Sequence, residues 1–175
     1  LAATVDSGTF CLSKGLGCPI GSVVFGSTEV IERARTLRKL VGGGMRQAGI
    51  IAAAGLHALN NNVDQLAVDH DNAKKLQHLL SDVRGIQVDN ANVQSNIVFI
   101  SPDGSSGWRK AQDQSGDAHA LAVAEVQALT TSLAGQGFLV GAMYNGGAAK
   151  LRLVTHRNIS ADNVRAVTAD IDNFL

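Results

Sequence analysis

Three observations predict an α/β fold in two parts. Two apolar runs rich in β-branched and aromatic residues, 3–12 and 19–26, flank a short glycine-bounded turn, a pairing that reads as two strands. Three helical patterns then fill the sequence from about residue 28 to residue 83. After Gly85 the pattern changes to shorter mixed elements and closes on a capped helix. The boundary is expected inside the third helix, giving a first domain over residues 1–70 and a small α+β domain over residues 71–175.

Residues 4–12 and 22–26 are expected as neighbouring buried strands joined by the turn Ser13-Lys14-Gly15-Leu16-Gly17. Ser27 or Thr28 can cap the helix that follows, with Glu29 in its first turn and Arg35, Arg38 and Lys39 in its last. Ile31, Ala34 and Leu37 supply helical spacing, and Gly42-Gly43-Gly44 stops the helix. A second helix over 45–59 is small and apolar, with Ala48, Ile50, Ile51, Ala52, Ala53 and Ala54 in sequence. So many alanines predict close packing against another helix or a neighbouring subunit. Asn60-Asn61-Asn62 is expected to break it. The third helix, 63–83, turns Val63, Leu66, Ala67, Ala73, Leu76, Leu79, Leu80 and Val83 toward a core.

Strands are expected at 86–88 and 96–101. A polar loop follows over 102–117, in which Trp108 and Arg109 stand out. A helix at 118–134 leads to a strand at 138–143, a hairpin turn at Asn145-Gly146-Gly147 and a partner strand at 150–155. Ser160 caps a last helix that runs to Leu175, with Asp162 in its first turn.

The 175 residues carry 15 basic and 15 acidic side chains and are 45% hydrophobic. That is enough apolar content for a core, and no charge surplus draws the chain to nucleic acid or an anionic membrane. No apolar run reaches the length of a membrane span. Cys11 and Cys18 flank the lysine turn without metal or redox spacing, and read as two reduced, mostly buried thiols of a cytoplasmic protein. The chain opens at Leu1 and enters a strand-like run almost at once, from which an upstream segment is expected.

Lys14 is the first candidate for chemistry. At pH 7 an ordinary lysine is neutral in only about one molecule in 2,500, and imine formation with an aldehyde removes that handicap. Spacing alone favours a solvated turn lysine, since lone lysines in glycine turns are common. Arg152 lies between Leu151 and Leu153 in an apolar strand, where its planar fork suits either a carboxylate ligand or a structural ion pair. Gly42-Gly43-Gly44-Met45-Arg46 precedes a helix and offers backbone N–H groups and a cation to a phosphate, or forms an ordinary interhelical turn. His57, His70, His78, His119 and His156 show no metal-ligand spacing. Asp69-His70-Asp71 reads as a solvated or interface patch, because adjacent helix residues face different ways. His156 follows the Arg152 strand and is expected to position its end.

The run Ser13-Lys14-Gly15-Leu16-Gly17, then Pro19-Ile20-Gly21-Ser22, Arg38-Lys39 with Gly42-Gly43-Gly44-Met45-Arg46-Gln47-Ala48-Gly49, and Leu151-Arg152-Leu153-Val154-Thr155-His156, resembles the low-specificity L-threonine aldolase family. The resemblance spans most of this chain and about the C-terminal half of the family's usual length. It implies the C-terminal part of a pyridoxal-phosphate-dependent, fold type I large domain followed by the small α+β domain. It implies that Lys14 forms the imine with pyridoxal 5'-phosphate, that Ser13 lies near the cofactor, and that Lys39 and Arg46 lie near its phosphate, in part across a subunit boundary. Arg152 would bind the substrate's α-carboxylate. The implied reaction is retro-aldol cleavage of β-hydroxy-α-amino acids to glycine and an aldehyde, in a homotetramer completed by the N-terminal half. The ring-stacking group, the acid facing the pyridine nitrogen and the β-hydroxyl base belong to that half. A related pyridoxal-phosphate lyase or racemase, and a non-catalytic fragment, are the alternatives. No metal is implied.

Overall fold

A computed structural model describes residues 2–89, 92–103, 118–145 and 148–175. They form two compact units, Leu1–Leu66 and Ala67–Leu175. The division falls within a continuous helix.

The first unit opens on a 3-10 turn, Ala2–Thr4, and its first strand starts at Ser7, three residues later than expected. Strands β1 (Ser7–Cys11) and β2 (Ser22–Gly26) then pair antiparallel, from Ser7 opposite Gly26 to Cys11 opposite Ser22. Neither strand is buried, contrary to the expectation of a lysine leaving a buried strand. The hairpin has no third strand among the described residues; Phe10 and Val23 turn to the unit's small core, while residues such as Val24 and Phe25 stay exposed.

Helix α1 (Thr28–Leu40) starts at Ser27, whose Oγ accepts from the Val30 N–H at 3.3 Å. It ends at Gly42, which takes the left-handed backbone (φ 82°) a helix stop favours. The apolar spacing at Ile31, Ala34 and Leu37 finds no core, since no α1 residue is buried. Helix α2 (Gly49–Asn61) begins four residues later than expected, because Gln47 has φ 51° and interrupts the helical path. Asn60 and Asn61 are helical, and the helix stops only at Asn62. Leu12, Leu16, Cys18 and Ala58 form this unit's small core, with Phe10, Val23, Ala54 and Leu66 packed around it.

Helix α3 (Gln65–Ser81) enters the second unit. There Ala73, Leu76 and Leu80 are buried as the periodicity requires, whereas Ala67 is exposed, as is Val63, which precedes the helix. Strands β3 (Ile86–Val88), β4 (Ile97–Pro102), β5 (Gly141–Asn145) and β6 (Ala148–Val154) make an antiparallel sheet in the order β3-β4-β6-β5. The expected strand at 138–143 starts three residues late. Helices α4 (Ala118–Gly135) and α5 (Ala161–Phe174) complete the unit. Ser160 and Asn163 form a capping box at the start of α5. Val98, Ile100, Leu151 and Leu153 on the sheet meet Val126, Leu129, Val164 and Ile171 on the helices in one core. Trp108, Arg109, most of the 102–117 loop and Gly146-Gly147 lie outside the described residues. No helix among the described residues is long and apolar enough to cross a membrane.

Candidate functional site

The lysine turn is built by short-range backbone hydrogen bonds. The Gly17 N–H donates to the Lys14 carbonyl at 2.8 Å, the Cys18 N–H to Leu12 at 3.1 Å, and the Leu12 N–H to Gly21 at 2.9 Å. Gly17 and Gly21 take φ of 75° and 121°, which side-chain-bearing residues rarely adopt. A Cβ on Gly15 would come within 2.5 Å of the Leu66 Cδ2. The turn is therefore built on glycines, with Leu12, Leu16 and Cys18 buried as anchors while Ser13 and Lys14 stand exposed. The Lys14 amine has no hydrogen bond or ion pair among the described residues.

Helix α2 holds this turn from beneath. The Cys18 thiol donates to the Ala54 carbonyl at 3.4 Å, and Leu12 lies against Gly55, where an added Cβ would approach within 3.1 Å. The Asn62 side-chain amide donates to the Leu16 carbonyl at 2.7 Å. Reading Asn60-Asn61-Asn62 as a helix breaker missed this contact, and only the fold brings residues 46 apart together.

The other two candidate cations of the first unit lie at the end of α1 (Lys39) and in the α1–α2 connection (Arg46). Arg46 is exposed, as is Lys39, which lines a surface hollow with Arg35, Thr36 and Leu40. Neither Lys39 nor Arg46 has an ion pair among the described residues. Cys11 is exposed and Cys18 buried, both as free thiols, so only one of the two fits the expectation of burial.

In the second unit, Arg152 sits mid-strand on β6, opposite Phe99 of β4 and Gly141 of β5. Leu151 and Leu153 are buried while Arg152 and Val154 face outward, as the alternation predicts. Arg152 also lacks an ion pair among the described residues. A cavity of about 240 Å³ lies beside the end of β6, bordered by Phe138, Val140, Leu153, Thr155 and His156, and Arg152 is not part of its lining. His156 is exposed, and its Nδ1 accepts from the Asn158 N–H at 3.4 Å. Of the expected solvated patch, Asp71 is exposed but Asp69 is buried, because its place on α3 faces the core side. No cluster of metal-ligating side chains occurs among the described residues.

Residues 1–102 match the family described as beta-eliminating lyase. Low-specificity L-threonine aldolase 1 of Arabidopsis thaliana is 38% identical over 164 residues, covering 94% of this chain and 40% of the plant protein. A putative L-allo-threonine aldolase from Listeria monocytogenes superimposes with a TM-score of 0.73 at 15% identity, over 99% of this chain and 45% of that one. Oryza sativa TDC, solved with PLP and tryptamine, gives 0.73 at 18% identity, over 99% and 36% of the two chains. The chain thus spans about two fifths of the length of the curated relative.

Proposed function

This chain belongs to the beta-eliminating lyase family and carries part of the fold type I architecture of pyridoxal-phosphate enzymes, and on that premise we propose that it supplies the cofactor-lysine portion of a low-specificity L-threonine aldolase. The observation that carries the reading is the exposed Lys14, held on a hydrogen-bonded glycine turn within the family-matched segment.

The residues present fit pyridoxal 5'-phosphate. An exposed lysine amine without an ionic partner can bond an aldehyde carbon. Lys39 and Arg46 have no ion pair among the described residues and are suited to a phosphate, and the Arg152 fork is suited to a carboxylate. When bound, the cofactor supplies an aromatic ring that accepts the electron pair of a broken Cα–Cβ bond. Lys14 Nζ would hold the cofactor covalently and, when released, would be an amine able to accept or give a proton beside the substrate. Ser13, beside it, shapes the turn and offers a hydroxyl. Arg152 orients the substrate through two parallel hydrogen bonds to the α-carboxylate, which fixes the Cα–Cβ bond direction. Products are glycine and an aldehyde.

The remaining groups are proposed to come from an N-terminal half, in a cytoplasmic homotetramer. In support, Val24, Phe25, Leu40, Val41 and Ile50 of the first unit are all exposed large hydrophobics, a surface that calls for cover. The test mixes the chain with a companion segment corresponding to the rest of the Arabidopsis thaliana relative, pyridoxal phosphate and L-threonine. Glycine and acetaldehyde are expected from the mixture, and from neither piece alone. Undiminished cleavage after Lys14→Ala would overturn the assignment.

A further inference from the structure

We propose that Asn62 is a positioning residue for Lys14, setting the lysine turn on helix α2 through its amide bond to the Leu16 carbonyl. The inference rests on the reading of Lys14 as the cofactor lysine and extends it to a residue outside the turn.

Asn62 is the one buried polar side chain among the described residues of the first unit, at 9% exposure. A buried amide is costly unless it is hydrogen-bonded. Here Nδ2 donates to Leu16 at 2.7 Å, and Leu16 is itself buried, so water is poorly placed to substitute. The accepting carbonyl lies two residues beyond Lys14, inside the turn closed by the bond from Gly17 to Lys14. Any slide of the turn along α2 therefore breaks a directional contact close to the reactive amine.

The other anchors do not fix register in that way. Leu12 against Gly55 is apolar and tolerates sliding, and the Cys18 thiol is a weak donor. The neighbouring Asn61 is exposed and donates back to the His57 carbonyl at 2.8 Å, an ordinary local bond at a helix end. The asparagine run thus contains a clamp and, one residue earlier, a built-in control. Helix α2 also starts just past Arg46, so one rigid element connects the glycine connection at its head to the lysine turn at its tail.

Two readouts test this on the chain with its companion segment. The first is the pyridoxal phosphate concentration needed to fix cofactor mass on Lys14 with borohydride, located by peptide mapping. The second is amide hydrogen exchange at Gly17 and Cys18, measured without cofactor. Asn62→Ala and Asn62→Asp, the latter close in shape but lacking the donor, are expected to raise the half-trapping concentration roughly tenfold, the scale of one broken buried hydrogen bond. Both should speed exchange at Gly17, while Asn61→Ala changes neither readout. If Asn62→Ala does not fold, Asn62→Ser, which keeps a shorter donor, should show a smaller loss of the same kind. Wild-type trapping and exchange in Asn62→Asp or Asn62→Ser would overturn the inference alone. Absence of cofactor mass on wild-type Lys14 would overturn the parent reading and this one with it.

Discussion

Thr155 Oγ1 donates to the Asp69 carbonyl at 2.6 Å, joining the residue after β6 to helix α3 across 86 positions of sequence. Around it, Asn96 Nδ2 donates to the Thr155 carbonyl at 2.7 Å and Asn72 Nδ2 to the Ile159 carbonyl at 2.9 Å. This polar set, buried at Thr155, Asp69 and Asn72, fastens the end of the strand that carries Arg152. Thr155→Val keeps the side chain's shape and removes its donor. It is expected to destabilise the protein by about 1–3 kcal/mol, with Thr155→Ser retaining most of the stability. Urea denaturation of the three proteins checks this.

Arg152 is exposed and unpaired among the described residues, so replacing it should cost folding little. Its expected cost is in substrate capture. In the active assembly, Arg152→Ala should raise the KM for L-threonine roughly 10- to 100-fold, the scale of a charged hydrogen-bonded pair. Arg152→Lys should recover only part, because an ammonium lacks the planar fork. Steady-state kinetics beside a thermal melt separates the two effects. An unchanged KM would remove Arg152 from the site.

Gly21 and Gly42 both have positive φ, at 121° and 82°, but differ in surroundings. A Cβ at Gly21 would stand 2.9 Å from the Ile51 Cγ2, whereas at Gly42 nothing lies within 4 Å. Gly42→Ala is expected to cost about 1–2 kcal/mol of backbone strain alone. Gly21→Ala should cost more and also weaken cofactor trapping at Lys14, since the Gly21 carbonyl accepts from Leu12 in the lysine turn. Paired melting curves and trapping assays test the difference.

Helix α1 buries none of its residues, whereas β4 and β6 carry side chains of zero exposure. In the chain alone, amides of α1 are expected to exchange with solvent well before those of β4 and β6. Adding the companion segment should slow α1. Equal protection of both regions in the chain alone would show that α1 is already covered by another copy.

The sequence was most informative where local chemistry decides the outcome. Ser27 and Ser160 cap the helices they announce, Gly42 stops α1, and the alternation around Arg152 sorts inward leucines from the outward arginine. It was least informative where distant chain completes the structure. Val24 and Leu37 have core patterning but no core within the described residues. Asn62 looks like a terminator in a run of three asparagines, and its acceptor lies 46 residues upstream. Asp69 looks solvated beside His70 and Asp71, and only packing of α3 shows it buried. Lys14, Ser13, Lys39, Arg46 and Arg152 were each named by residue type and motif, since reactive and charged groups are conspicuous in a sequence while the contacts that aim them are not.

Strand β6 is hydrogen-bonded on both sides, with Leu151 and Leu153 sealed in the core on either side of position 152. The backbone there is a fixed mount, and the one outward side chain between those leucines is an interchangeable fitting. Position 152 can therefore change its side chain, and with it whatever that side chain meets, while the strand that carries it stays folded.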